Sequence, residues 1–368
     1  MSGALPGETR ETGVFGTLGG WPGVLGRLMA GRSLSAAESE SVLDQVLAGD
    51  ATPAQTAALL TALRCKGESV EEMTGLVRSL LAHAEPLSVD GELVDVVGTG
   101  GDRLRSINVS TIASCIVAGA GARVCKHGNR AASSSVGTAD VLEALGVAVE
   151  LGPEGVARCI EEVGFGFCFA QRFHPAMRFV GPIRAQLGVP TVFNFLGPLS
   201  NPARAAYQLV GVSDPTMAAK MAGVLGANGS RRAMVVYADD GLDELSVTSC
   251  STVLELTGDG QGGFEVHTWR LDPATLGFRY WTIDDLRGGD AGFNADVIRR
   301  VLAGEPGARR DIAVLNAAAA LVIVGRADGL ADGVEQACRS IDEGRAAAAL
   351  EDLVRTSVRL AETGRKVS

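Results

Sequence analysis

Glu92-Leu93-Val94-Asp95-Val96-Val97-Gly98-Thr99-Gly100-Gly101-Asp102 is the stretch on which the fold turns. Leu93 to Val97 is a short apolar run of buried-strand type that closes on a glycine-rich turn. A helical run, Thr111–Ala120, comes next, and then the strand-like Arg123–Lys126. Strand, turn, helix and strand in that order make a βαβ unit, the building block of a parallel sheet. Downstream the theme repeats. The pattern predicts a helix around Ala139–Leu145, a strand at Val147–Leu151, a helix at Glu154–Val163 and a strand at Phe165–Ala170. Strands at Tyr207–Val212 and Ala233–Tyr237 flank a helix at Pro215–Leu225, and the chain closes with helices at Ile312–Val324, Gly333–Ile341 and Ala346–Leu360.

Upstream of Glu92 the signals are helical. Ser35-Ala36-Ala37-Glu38 and Ser69-Val70-Glu71-Glu72 have the capping-box pattern, and Thr52-Pro53 sets an N-cap with proline at the first helical position. Gly67 is placed to end the helix that Thr52 begins. The expected class is α/β: a small N-terminal helical domain plus a large α/β domain with a mostly parallel central sheet and helices on both sides. The expected boundaries are a mobile tail over 1–21, a helical domain over 22–90 and the α/β domain over 91–368. A helical segment around 172–205 is expected to pack back on the helical domain.

Composition narrows the function. The 368 residues carry 33 Lys+Arg against 43 Asp+Glu, a net charge of −10, which argues against the basic footprint that nucleic-acid binding needs. No apolar run reaches the roughly 18 residues of a membrane span. The first 20 residues lack a basic start followed by an apolar run, so no secretory signal is expected. The seven cysteines are scattered and form no C-x-x-C pair, as in a reduced cytoplasmic protein without a metal cluster.

Four stretches carry chemistry. Gly98–Asp102 with Asn108-Val109-Ser110-Thr111 combines a glycine turn with a helix start, which suits phosphate, although a plain turn with an N-cap has the same signature. It is neither a Walker A motif nor G-x-G-x-x-G. Lys126-His127-Gly128-Asn129-Arg130-Ala131-Ala132-Ser133-Ser134 gathers cations, an amide and hydroxyls at a strand's C-terminal end, where open α/β sheets bind ligands; a solvated basic loop reads the same way. Asp239-Asp240-Gly241-Leu242-Asp243-Glu244 reads either as an acidic turn or as hard oxygen ligands for magnesium shared with phosphates. Arg184 lies on a partly apolar helix ahead of Asn194-Phe195-Leu196-Gly197-Pro198-Leu199, where an arginine is either a surface residue or a carboxylate clamp.

Taken together and in order, these motifs resemble the anthranilate phosphoribosyltransferases. The resemblance runs from about Leu25 to at least Ala346 and includes Leu286-Arg287-Gly288-Gly289-Asp290 and Leu315-Asn316-Ala317-Ala318. It implies a nucleoside phosphorylase/phosphoribosyltransferase-type fold. It also implies transfer of the phosphoribosyl group of phosphoribosyl pyrophosphate (PRPP) to the amine of anthranilate in tryptophan biosynthesis. PRPP would be met by Gly98, Gly101, Asp102, Ser106, Asn108, Val109, Ser110, Thr111, Lys126 to Ser134 and Thr138. Anthranilate would be held by Gly98, Asn129 and Arg184. Ser110, Asp243 and Glu244 would hold two magnesium ions per subunit, and Lys126, Asp243 and Glu244 would carry the catalysis. The resemblance further implies a homodimer formed through the helical domain. The chain departs from the family pattern at Arg103, Arg105, Val136, Gln171, Phe179 and Gln186, so that a substituted anthranilate stays open as the acceptor. Nucleoside phosphorolysis would leave Asp243 and Glu244 without a purpose, and a non-catalytic nucleic-acid-binding relative should have lost them.

Overall fold

The computed structural model describes residues 13–100, 104–130 and 136–365. The chain divides into two compact units, residues 1–83 with 176–196, and residues 84–175 with 197–368.

The first unit opens with the helices α1 (Val14–Thr17), α2 (Gly20–Met29), α3 (Ala36–Ala48), α4 (Pro53–Lys66) and α5 (Val70–Ala82). All three helix-start signals form as expected. Ser35, Thr52 and Ser69 each accept the backbone N–H three residues on, and Glu38, Gln55 and Glu72 return the bond to the cap. Gly67 follows α4 with φ +85°, a conformation that glycine adopts without strain. Glu72 is buried and does more than cap. It accepts from Leu34 N at 3.0 Å, from Ser69 N at 2.8 Å and from Lys66 Nζ at 2.8 Å. The expectation of a mobile tail over 1–21 is corrected for 13–21. Phe15 and Trp21 are buried, edge to face with ring centroids 5.5 Å apart, so α1 and the start of α2 are held by aromatic packing. Residues 1–12 lie outside the described part.

The second unit holds β1 (Val94–Gly98), α6 (Val109–Gly119), β2 (Val124–Gly128), α7 (Thr138–Leu145), α8 (Pro153–Val163), β3 (Phe165–Phe169) and the short α9 (Ala170–Phe173). Here α10 (Gly181–Leu187) and α11 (Phe193–Leu196) return to the first unit. The chain then makes β4 (Tyr207–Gly211), α12 (Pro215–Ala227), β5 (Arg232–Ala238), β6 (Ser251–Gly258) and β7 (Phe264–Leu271). It ends in α13 (Ala291–Leu302), α14 (Ala308–Ile323), α15 (Leu330–Asp342) and α16 (Arg345–Arg365).

The seven strands form one sheet in the order β3-β2-β1-β4-β5-β6-β7, parallel as far as β5 and antiparallel for β6 and β7. Alternation along the strands feeds a core on each face. Val94, Val96 and Val124 pack with α6 and α14, whereas Leu93, Cys125 and Cys168 pack with Val156 and Ile160 of α8. The strand expected at Val147–Leu151 does not form. Val147 and Val149 are buried, but the backbone N–H of Ala148 donates to the Ser357 hydroxyl of α16 instead of to a neighbouring strand. Alternating apolar residues met a helix there, not a sheet edge.

Candidate active site

Strand order reverses at β1, which has β2 on one side and β4 on the other, and the crevice beyond the carboxyl ends of such a pair is where open α/β sheets take ligands. The last residues of β1 and β4, Gly98 and Gly211, are register partners. Asp243 sits against both. A Cβ on Gly98 would lie 2.5 Å from Asp243 Oδ2, and one on Gly211 would lie 1.5 Å from the Asp243 carbonyl oxygen. Glycine is therefore required at both strand ends by the approach of one acidic loop. Asp243 Oδ2 accepts the Gly100 N–H at 2.7 Å and lies 3.5 Å from Thr99 Oγ1, which in turn accepts from Ser213 N at 3.1 Å. The carboxylate is thereby fixed against the glycine turn.

The acidic loop is shaped from behind. Asn316 of α14, fully buried, accepts from Leu245 N at 3.0 Å and donates to Leu245 O and Ile312 O, each at 2.9 Å. This clamps the residue next to Glu244 through both its N–H and its carbonyl. Asp243 and Glu244 are 7% and 8% exposed, so a pair of buried carboxylates lies at the crevice. Asp239 and Asp240 are structural, Asp239 pairing with Arg270 and Asp240 accepting from Leu242 N and from the Ser246 and Thr248 hydroxyls.

Lys126 comes from β2 and is 1% exposed. Its Nζ donates to Val96 O at 2.5 Å and to Ser110 Oγ at 3.0 Å. Burial pushes its pKa down, while Asp95 and Glu244 pull the other way. Asp95 is buried beside it, and its pKa is pushed up to about 6 by burial, against Lys126, the Asn201 amide and the His127 N–H. Ser110 and Thr111 lie in the first turn of α6, an 11-residue helix whose N-terminus supplies partial positive charge. The Thr111 hydroxyl is buried and makes no hydrogen bond among the described residues. The N-cap Asn108 does not cap its own helix. Its Oδ1 accepts from Asn294 Nδ2 at 3.0 Å, and Asn294 Oδ1 accepts from Gly289 N at 2.8 Å. Ser106 bridges to Arg287, and Arg105, exposed and with φ +53°, accepts from Gly288 N.

Other expected site residues divide. Val109 is in the core, so only its main chain is available to a ligand. The His127 ring is buried against His174 with centroids 5.3 Å apart, and burial followed by His174 lowers its pKa to about 3. Arg130 turns its guanidinium to Asp140 and Glu143, so the two cations of that loop part ways. Gly128 packs on Thr138, the first residue of α7. Gly101, Asp102, Arg103, Ala131, Ala132, Ser133 and Ser134 lie outside the described residues. Among the departures, Val136 packs on the core, Gln171 and Gln186 are not buried, and Phe179 lies on Gly49 with Arg178 over its ring.

Arg184 belongs to the first unit. It is half-buried on α10, its Nη2 is 3.4 Å from Asn194 Oδ1, and its guanidinium lies over the Phe193 ring at 5.6 Å. Burial lowers its pKa, and no carboxylate is within ion-pair reach among the described residues. A half-buried guanidinium without an acidic neighbour is suited to a ligand carboxylate.

A family model described as "Glycosyl transferase family, a/b domain" matches residues 90–347, and one described as "Glycosyl transferase family, helical bundle domain" matches 22–84. The anthranilate phosphoribosyltransferase of Rhodococcus jostii (strain RHA1) is 52% identical over 90% of this chain and 91% of its own length. The chain belongs to the anthranilate phosphoribosyltransferase family. Two solved structures carry the same name. That from Thermus thermophilus superposes with a TM-score of 0.84 at 41% identity, covering 91% of this chain and 99% of that one. That from Saccharomyces cerevisiae, in complex with PRPP and Mg, has a TM-score of 0.83 at 26% identity, covering 92% and 98%. As a member of this family the chain is an enzyme, a pentosyltransferase. Four residues that shape the candidate site here went unassigned a role from the sequence: Gly211, Asn201, Asn294 and Asn316. Only the Leu-Asn-Ala-Ala run around Asn316 signalled itself.

Proposed function

We propose that the chain transfers the 5-phosphoribosyl group of PRPP to the amine of anthranilate, giving N-(5-phosphoribosyl)anthranilate and pyrophosphate, in tryptophan biosynthesis. The observation that carries this reading is the seating of Asp243 on Gly98 and Gly211, which brings a buried carboxylate pair to the ends of β1 and β4. In the reaction the bond from ribose C1 to the pyrophosphate oxygen breaks, and its electron pair leaves with pyrophosphate. The amine lone pair forms the new C1–N bond, and the nitrogen then gives up a proton. A neutral aromatic amine needs no strong base before attack, so positioning and charge neutralisation carry the rate.

Asp243, Glu244 and the Ser110 hydroxyl are the hard oxygen donors that magnesium takes, and the described residues offer no set of three His, Cys, Asp or Glu ligands. When bound, magnesium supplies positive charge to the departing pyrophosphate. We place two such ions per subunit. Lys126 holds the Ser110 hydroxyl and adds buried positive charge behind the helix N-terminus. The main chain of Gly98–Gly100 and the Asn108–Thr111 turn hold PRPP, with Ser106, Thr138 and the loop from His127 to Ser134. Asn129 and Arg184 hold the acceptor, Arg184 by its carboxylate. A homodimer through the helical unit accords with the exposed Val14 and Met29 there, and no helix is long and apolar enough to cross a membrane. Cytoplasmic residence accords with the unpaired cysteines.

The test is the loss of anthranilate fluorescence with PRPP and magnesium, with and without a chelator. Chelator-sensitive loss is the expected result. No loss with PRPP still bound in calorimetry would move the acceptor to a substituted anthranilate. No loss and no PRPP binding would overturn the reading.

A further inference from the structure

The end of β2 and the end of β3 lie side by side, because Gly128 and Phe169 are register partners. The residues just beyond them therefore meet. Asn129 Oδ1 accepts two hydrogen bonds, from the Arg130 N–H at 2.8 Å and from Gln171 Nε2 at 3.3 Å. A side-chain amide oxygen has two lone pairs, so this acceptor is fully used. Asn129 Nδ2, by contrast, donates to nothing among the described residues, and the Asn129 side chain is exposed. The amide is thus oriented with its donors outward. The neighbouring cation does not set this orientation, since the Arg130 guanidinium is turned to Asp140 and Glu143. The Asn129 main chain is fixed separately, by the Ala139 N–H at 3.2 Å.

We propose that Gln171 is a positioning residue for acceptor specificity: it locks the Asn129 amide so that Nδ2 faces an oxygen of the acceptor's carboxylate. This rests on the reading above that Asn129 contacts the acceptor. The chemistry is one of sign. An amide presenting N–H attracts a carboxylate, whereas the same amide turned over presents an oxygen and repels it. Nothing in the shape of an asparagine side chain chooses between the two, so the neighbours must choose. The amine nitrogen of the acceptor is the wrong target for Nδ2, because a donor there would tie up the lone pair that attacks C1.

Gln171→Glu replaces a donor by a carboxylate that only accepts at neutral pH; it draws Nδ2 of Asn129 toward itself and away from the acceptor, in competition with the Arg130 N–H that holds Oδ1 at 2.8 Å. The expected result is a rise in the anthranilate KM of about tenfold, the size of one hydrogen bond to a charged group. The PRPP KM should rise by less than the anthranilate KM, and the melting temperature should not move. Gln171→Ala, which frees the amide without reversing it, should give an intermediate rise of about threefold. An unchanged anthranilate KM in Gln171→Glu, or equal rises for both substrates, overturns the proposal. Asn129→Ala separates the two ways of failing. If it raises the anthranilate KM while Gln171→Glu does not, the role of Gln171 falls alone. If it leaves that KM unmoved, the acceptor reading of Asn129 falls and takes the proposal with it.

Discussion

The residues read as handling the phosphoribosyl donor and those read as handling the acceptor are built in different ways. On the donor side Lys126, Asp243 and Glu244 are each at most 8% exposed, and backbone or buried asparagines hold the segments that carry them. On the acceptor side Asn129 and Gln171 are exposed and Arg184 is half-buried; the Asn129 oxygen accepts from the Arg130 N–H at 2.8 Å and from Gln171 at 3.3 Å, and Arg184 lies 3.4 Å from Asn194 Oδ1. Charge that must be stabilised as a bond breaks calls for dipoles fixed beforehand in a dry setting. Recognition of a small aromatic acid tolerates looser parts.

The sharpest way to break this contrast is to remove both carboxylates. Asp243→Ala with Glu244→Ala should lower kcat/KM by about a thousandfold or more, as expected when a metal worth several kcal/mol of charge stabilisation is lost. Circular dichroism should show the fold intact, and a double variant of normal activity would remove the metal assignment. Arg184→Ala should act on one substrate only, raising the anthranilate KM about thirtyfold with little change for PRPP, the size of a charged hydrogen-bonded contact. Steady-state kinetics with each substrate varied in turn would reveal equal effects, which would contradict the clamp. Asn316→Ala should destabilise the fold by about 2 kcal/mol by stranding the Leu245 peptide, and should raise the magnesium concentration needed for half-maximal PRPP binding in calorimetry.

The smallest effect concerns pH. His127 has its folded pKa lowered to about 3 by burial, below the ordinary value of 6.5. The unfolded chain therefore binds the proton first, so the stability contributed by neutral His127 is complete above pH 6.5 and is lost as pH falls toward 3. Between pH 7 and 5.5 the native chain should lose about 1 kcal/mol more than His127→Asn, measured by urea unfolding. Asp95, whose pKa is raised to about 6, has the opposite sign from pH 6 down to its ordinary 3.8 and is common to both proteins. The subtraction thus isolates the histidine.

Much of this was legible in the sequence because it is local. A capping box spans four residues, and a glycine turn between an apolar run and a helix start spans about a dozen. Gly98 and the Asp243-Glu244 pair could be singled out on those terms. Gly211 could not, since a lone glycine ending a strand has no signature until Asp243 is brought against it from 32 residues on. Asn294 was equally silent, because a polar residue on an amphipathic helix is ordinary until its partner Asn108 is known. The hairpin β6–β7 has no such signature, since the apolar phase shifts within Phe264–Leu271 and Phe264 and Val266 are exposed, whereas the alternating Val147–Leu151 makes no strand. Alternation reports which residues are buried, not what buries them.

The clamps by Asn294 and Asn316 have a consequence for how the enzyme comes into being. A nascent chain that has emerged only as far as Leu271 already contains every residue assigned here to substrates and metal. It lacks the two helices that fix the Asn108 turn and the Asp243-Glu244 loop. Competence is thus a late event in synthesis, arriving with residues 291–323, and a message truncated between those points would encode all of the chemistry without two of the clamps that align it.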